Sequence, residues 1–155
     1  MRVFISMPIV QHLDARRNFD AEARRFFERY FEALRENGVE PEAGVLMEDW
    51  GQEIPPRIEF TANDLRAIES AEAIVLITRT KLTRDMFLEL GIALGLGQRG
   101  VIILPHDAWG TEMLLGLDEL KRVSIIRFDV STFDPIAVAA ATVSQLRERP
   151  ATCGT

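Results

Sequence analysis

One cysteine stands in this sequence, Cys153, in the final Pro150–Thr155 stretch. A lone thiol forms no internal disulfide and has no companion for a metal site, so the chain reads as cytoplasmic. No apolar run approaches the roughly 20 residues that span a bilayer, and no membrane partner is expected. The start, Met1-Arg2 with a short apolar run from Val3 to Ile5 and then Pro8, lacks a signal-peptide core and cleavage site. Positive charge is scarce as well: 18 Lys and Arg face 24 Asp and Glu, for a net charge of −6. That excludes nucleic-acid binding by an extended basic surface but leaves room for one phosphate in a local pocket. No glycine-rich dinucleotide fingerprint or P-loop follows the first apolar run. Ser6-Met7-Pro8-Ile9-Val10-Gln11 stands there instead, which demotes Rossmann dehydrogenases and P-loop enzymes. Repeats and low-complexity segments are missing, and nothing calls for a metal or a cofactor.

What is present is an alternation of apolar runs and amphipathic stretches. The 155 residues fit one domain, expected over 1–149, with a flexible tail at 150–155. Arg2 to Ser6 reads as a strand. Asp14 to Asn37 reads as a helix, because Phe19, Ala23, Phe26, Phe27, Tyr30, Phe31 and Leu34 recur at three-and-four spacing. Gly38 is placed to end it. Val39 to Leu46 reads as a weaker strand broken by Pro41 and Gly44, and Pro55-Pro56 opens a helix reaching about Ala71. Ala73 to Thr78, Val101 to Leu104 and Val123 to Phe128 read as strands. Helices are expected over Arg84 to Gly97, Gly110 to about Leu120, and Asp134 to Arg149.

Unbroken apolar strands alternating with helices imply a parallel sheet covered on both faces. The expected class is α/β, a flavodoxin-like doubly wound five-stranded sheet with order 2-1-3-4-5. Ligands then bind at the carboxyl ends of the strands, where the order reverses between strands 1 and 3. Two carboxylates can reach that crevice. Asp64 lies about 10 Å along its helix from the helix end, and Glu89 about 8 Å into the next one, at about 1.5 Å per residue. Side chains on both lean toward the helix N-termini, and so toward the same edge. Most helical carboxylates are simply solvated. Glu89 differs, because Phe87, Leu88, Leu90, Ile92, Ala93 and Leu94 surround it with apolar surface.

Two blocks carry a family likeness. Asp64-Leu65, Ile68, Ala71 and Ile74-Val75 form one. Glu89-Leu90-Gly91-Ile92-Ala93, followed by a glycine-rich turn and Val101-Ile102-Ile103-Leu104, forms the other. With Asp49-Trp50-Gly51-Gln52-Glu53 and Ile125-Ile126-Arg127-Phe128, they resemble the nucleoside 2-deoxyribosyltransferase superfamily. The nearer likeness is to its nucleoside 5′-monophosphate N-glycosidases, the cytidine monophosphate hydrolases and 2′-deoxynucleoside 5′-phosphate N-hydrolases. The resemblance implies hydrolysis of the N-glycosidic bond of a pyrimidine nucleoside 5′-monophosphate, a small-molecule substrate, with release of base and (deoxy)ribose 5-phosphate. It implies that Glu89 acts at C1′ and Asp64 assists departure of the base. It places Thr83, with Arg84 beside it, at the phosphate, and Ser6, Met7, Pro8 and Ile9 around the sugar phosphate and base. It also implies a homodimer with a shared site, to which Thr111 of the 109–113 segment contributes. The chemistry is glycosidic: an oxocarbenium-like transition state calls for one carboxylate at the anomeric carbon and an acid at the leaving group.

The pattern also departs from that family. Ser6-Met7-Pro8-Ile9 replaces a Gly-Pro-Phe type loop, so no aromatic there stacks on the base. Asp85 occupies a position commonly held by glycine, beside the expected phosphate. Trp50 is read either as a wall of the base pocket or as a loop tryptophan covering the sheet edge. His12, Arg16 and Arg17 are read as phosphate donors or as ordinary solvated residues. Alternative readings stay open: a TIR-like NAD glycohydrolase, which shares a glutamate on the helix after a buried strand; a nucleoside deoxyribosyltransferase; or a non-catalytic nucleotide-binding protein.

Overall fold

The computed structural model describes every residue except 17, 54, 109–111, 120 and 149–155. Arg17, Thr111 and the expected 150–155 tail therefore lie outside the described residues. Five strands, β1 (Arg2–Ser6), β2 (Glu40–Glu42), β3 (Ala73–Ile77), β4 (Arg99–Pro105) and β5 (Val123–Phe128), pair in the order β2-β1-β3-β4-β5. Every pairing is parallel, with Val3 opposite Ala73 and Ala73 opposite Arg99 in the register. The expected flavodoxin-like class and strand order hold.

Alternation along the strands supplies two cores. Val3, Ile5, Val75, Ile77, Val101 and Ile103 point to the face covered by α1 (Ala21–Glu36) and α6 (Pro135–Arg147). Phe4, Ile74, Leu76, Ile102 and Leu104 point to the opposite face. There they meet Ile68 of α3 (Arg57–Ser70) and Met86, Leu90 and Ala93 of α4 (Arg84–Gly95). A short α2 (Gly44–Met47) follows β2, and α5 (Glu112–Glu119) joins β4 to β5.

Several boundaries differ from the sequence reading, the first two below for a local reason. The first helix begins at Ala21 rather than Asp14. The Asp14 carboxylate accepts from the backbone N–H groups of Arg16 and Asn18 at 2.7 and 2.9 Å, which competes with helix formation. Asp20 then caps α1 by accepting from Ala23 N at 2.7 Å. The second strand shortens to Glu40–Glu42, because the chain turns into α2 at Gly44. The fourth extends to Arg99–Pro105, two residues earlier than its apolar run. Gly38 sits at φ +76 just past the end of α1, where a left-handed residue closes the helix. The sheet edges are modest: β2 contains Pro41, and on β5 the Ile125 N–H is taken by Asp118 Oδ1 at 3.3 Å.

One buried polar pair ties α1 to α6. Tyr30 Oη donates to Thr142 Oγ1 at 3.1 Å, while Thr142 donates to the Val138 carbonyl at 2.8 Å. Both residues are fully buried. Removing the donor leaves Thr142 with its own backbone partner, but removing the acceptor strands a buried hydroxyl. We expect Tyr30→Phe to lower the unfolding free energy by about 1 kcal/mol and Thr142→Val by about 1–3 kcal/mol. Urea denaturation of both variants checks the order, and the reverse order would contradict this account of the pair.

Candidate active site

The strand order reverses at β1 and β3, and a cleft opens beside their carboxyl ends. Its near wall is the chain leaving β1: Ser6, Met7, Pro8 and Ile9. Phe60 and Asp64 reach it from α3, and Thr83, Asp85 and Glu89 from α4 and its cap. The path of the chain explains the convergence. Both helices start at this edge and run away from it, so residues of their early turns face the crevice.

Ser6 ends β1 and is 2 % exposed. Its hydroxyl donates a short hydrogen bond to Glu89 Oε2. Glu89 accepts no other hydrogen bond among the described residues, and Asp64, 8 % exposed, accepts none. Burial pushes the Glu89 carboxyl up to about 7. The Ser6 hydroxyl opposes that rise, and the charges of Asp64 and Asp85 add to it. Burial alone pushes Asp64 up to about 6. Two carboxylates that sense each other in one cleft titrate as a pair and hold a proton between them near neutrality. Glu89 has the higher value of the two. Even so, Ser6 is the sole hydrogen-bond donor to either among the described residues, and a hydroxyl donor favours an ionised acceptor. That bond lowers the Glu89 carboxyl without bringing it below Asp64, so the proton of the singly protonated pair is shared between the two.

Thr83 caps α4 by accepting from Met86 N at 3.3 Å, so its oxygen is fixed at the cleft. Gly44, at the start of α2, forms part of the floor. A Cβ built there would stand 3.3 Å from Asp64 Oδ1, closer than an ordinary contact. The first loop is held from outside as well, since Thr80 Oγ1 donates to Gln11 Oε1 at 2.9 Å.

Some expected residues stand elsewhere. Trp50 does not line the cleft. It is buried in the opposite core, edge-on to Phe19 with ring centroids 5.1 Å apart and under the Arg24 guanidinium at 4.9 Å. Its large apolar ring is better satisfied there than at a polar crevice. Arg84 is exposed and outside the cleft lining, whereas its neighbour Asp85 lines it. His12 packs on Phe19 and Phe27, with centroids at 5.5 and 5.8 Å, and its burial lowers the imidazole pKa. Phe60 and Gly44 were missed. Phe60 was within reach of pattern reasoning, since it precedes Asp64 by four residues on one helix face.

Comparison of the sequence with protein-family models and with curated proteins gives no match. Solved structures do match. A CMP N-glycosidase, BcmB, from Clostridium botulinum superposes with a TM-score of 0.64 over 93% of this chain and 99% of its own, at 15% identity. A 2-deoxyribosyltransferase from Bacillus psychrosaccharolyticus superposes with a TM-score of 0.56 over 90% and 96%, at 16% identity. The chain has the fold of these two enzymes, and that fold is the one implied by the resemblance of its Asp64 and Glu89 blocks.

The two raised carboxyls have a measurable consequence for stability. An acid whose pKa is higher in the native state keeps its proton there after the unfolded chain has released it, so stability falls as pH rises. The window runs from 4.5 to about 7 for Glu89 and from 3.8 to about 6 for Asp64. We expect the unfolding free energy to decline across it, and Glu89→Gln to recover on the order of 1–3 kcal/mol above neutrality. Chemical denaturation at several pH values checks this; a wild-type stability that rises through the window would refute the burial of these groups.

Proposed function

We propose that the protein hydrolyses the N-glycosidic bond of a pyrimidine nucleoside 5′-monophosphate, with Glu89 at C1′ and Asp64 at the leaving base. The observation that carries the reading is the Ser6–Glu89 hydrogen bond within a cleft that also holds Asp64. The Ser6 hydroxyl orients Glu89 and favours its ionised form, the form that a nucleophile or electrostatic partner for an oxocarbenium-like carbon needs. In the reactive form the pair's proton is on Asp64, which has no such donor and delivers it to the base as the C1′–N bond breaks. Water then attacks C1′ and returns a proton to Asp64, leaving the sugar phosphate with a hydroxyl at C1′. The activities named for the two structural neighbours, on CMP and on 2-deoxyribosyl transfer, agree with glycosyl chemistry at this cleft.

The phosphate is assigned to the start of α4. There the Thr83 hydroxyl and the uncapped N–H groups of Arg84 and Asp85 suit an anion. A second reading, an uncharged nucleoside substrate, is favoured by one observation. Asp64, Asp85 and Glu89 line the cleft, and no Lys, Arg or His among the described residues does. The proposed monophosphate hydrolase includes a homodimer, with Thr111 of one copy completing the site of the other.

Glu89→Gln is expected to reduce base release by on the order of a thousandfold or more while the protein stays folded. Asp64→Asn is expected to lower kcat more than it raises KM, as suits a group that acts only while the base departs. Chromatographic assay of free base from cytidine and from CMP decides between substrates. A higher kcat/KM for CMP that falls in Thr83→Ala supports the monophosphate, and equal values with no effect of the mutation rule it out. Sedimentation velocity of the active protein is expected to give a dimer at micromolar concentration; a fully active monomer would remove the shared site.

A further inference from the structure

A second depression lies at the same carboxyl edge of the sheet but on its other face, against α1 and α6. Arg25, Phe26 and Arg29 of α1 line it, with Arg79 from the loop after β3 and Ser131 and Phe133 from the turn after β5. Three guanidiniums thus meet in one pocket of a chain whose net charge is −6. Glu22 is the one carboxylate among the lining residues, and it is paired with Arg79.

The arginines here are not arranged as ordinary surface charge. Neighbouring arginines are matched: Arg24 bonds Glu28 at 2.8 Å and Arg35 stands 3.5 Å from Glu40. Arg25 and Arg29 make no ion pair among the described residues, although they are exposed and sit one helical turn apart, where like charges repel. Arg79 is only partly satisfied. Its side chain is 18% exposed, its guanidinium carbon lies 5.2 Å from the centre of the Phe26 ring, and its Nε is buried without an acceptor. Beside this charge is an apolar wall of two mutually tilted rings. The Phe26 and Phe133 rings lie 3.9 Å apart between centroids and pack on Phe128.

We propose that this pocket binds a small phosphomonoester. Its dianionic head sits among Arg25, Arg29 and Arg79, and its apolar or aromatic body lies on the Phe26–Phe133 wall. Guanidinium groups bind phosphate oxygens in pairs, and a dianion relieves the repulsion that Arg25 and Arg29 now bear. The ring wall selects an ester over the free ion. This site stands apart from the catalytic cleft and does not rest on the function proposed for it.

Isothermal titration calorimetry at low ionic strength tests it, with inorganic phosphate and phenyl phosphate as probes. The expected result is saturable binding of both, with phenyl phosphate at least threefold tighter. The double variant Arg25→Gln/Arg29→Gln, altered only at exposed positions, should weaken both by at least tenfold. Thr83→Ala removes the other candidate anion position, so the effect of the double variant is read in a Thr83→Ala background as well as in the wild type. Saturable binding in the Thr83→Ala background that survives Arg25→Gln/Arg29→Gln, or its complete loss in Thr83→Ala alone, overturns the assignment. So does the absence of saturable binding by either probe. Equal affinity for the two probes overturns the ester in favour of the free ion.

Discussion

Right-handed crossover between parallel strands is the constraint on which this molecule depends. A crossover that moves one way across a parallel sheet puts its helix on one face, and a crossover in the opposite direction puts it on the other. From β1 the chain moves outward to β2 by way of α1. It then returns past β1 to β3 through α3, and continues through α4 to β4. The reversal sends α1 to one face and both α3 and α4 to the other. Asp64 and Glu89 belong to different helices and are 25 positions apart. They share a cleft because those helices flank the reversal. Ser6 completes the group because β1, where the direction changes, ends at the same place.

That logic was largely legible in the sequence. Four apolar runs, one of them buried at all of its positions from Ala73 to Ile77, and a weaker fifth stretch at Val39 to Leu46 sufficed for a parallel sheet and for its order. Glu89 was recognisable as a carboxylate amid apolar neighbours. What escaped was governed by side-chain partners far apart in sequence or by competition at the scale of one turn. Nothing in Ser6 announces that it will bond a residue 83 positions away. Trp50 reads equally well as pocket wall or core, and only the positions of Phe19 and Phe31 on and near α1 draw it to the core. Asp14 resembles the start of a helix until its carboxylate is seen to take up the backbone donors of Arg16 and Asn18.

The cleft is also where the fold gives up stability. A carboxylate removed from water without an ion pair favours its neutral form, and the cleft keeps two such groups, of which Glu89 alone has a hydroxyl donor, Ser6. The core can bear this because both faces of the sheet are filled by well-packed aliphatic and aromatic side chains. Gly44 contributes by omission: with no side chain, it leaves Asp64 the space that a methyl group would crowd.

The margins of the sheet have a consequence of their own. An open sheet ends in two rows of backbone donors and acceptors, and these are where unrelated chains add strands and build fibrils. Here one margin is only three residues long, carries a proline that lacks an N–H, and is flanked by two glutamates. At the other, an aspartate from the preceding helix has already claimed a backbone N–H of the last strand. Growth of the sheet by a sixth strand from another molecule is thus discouraged on both sides. Association between copies is left to helix surfaces and loops, whose side chains can choose their partner.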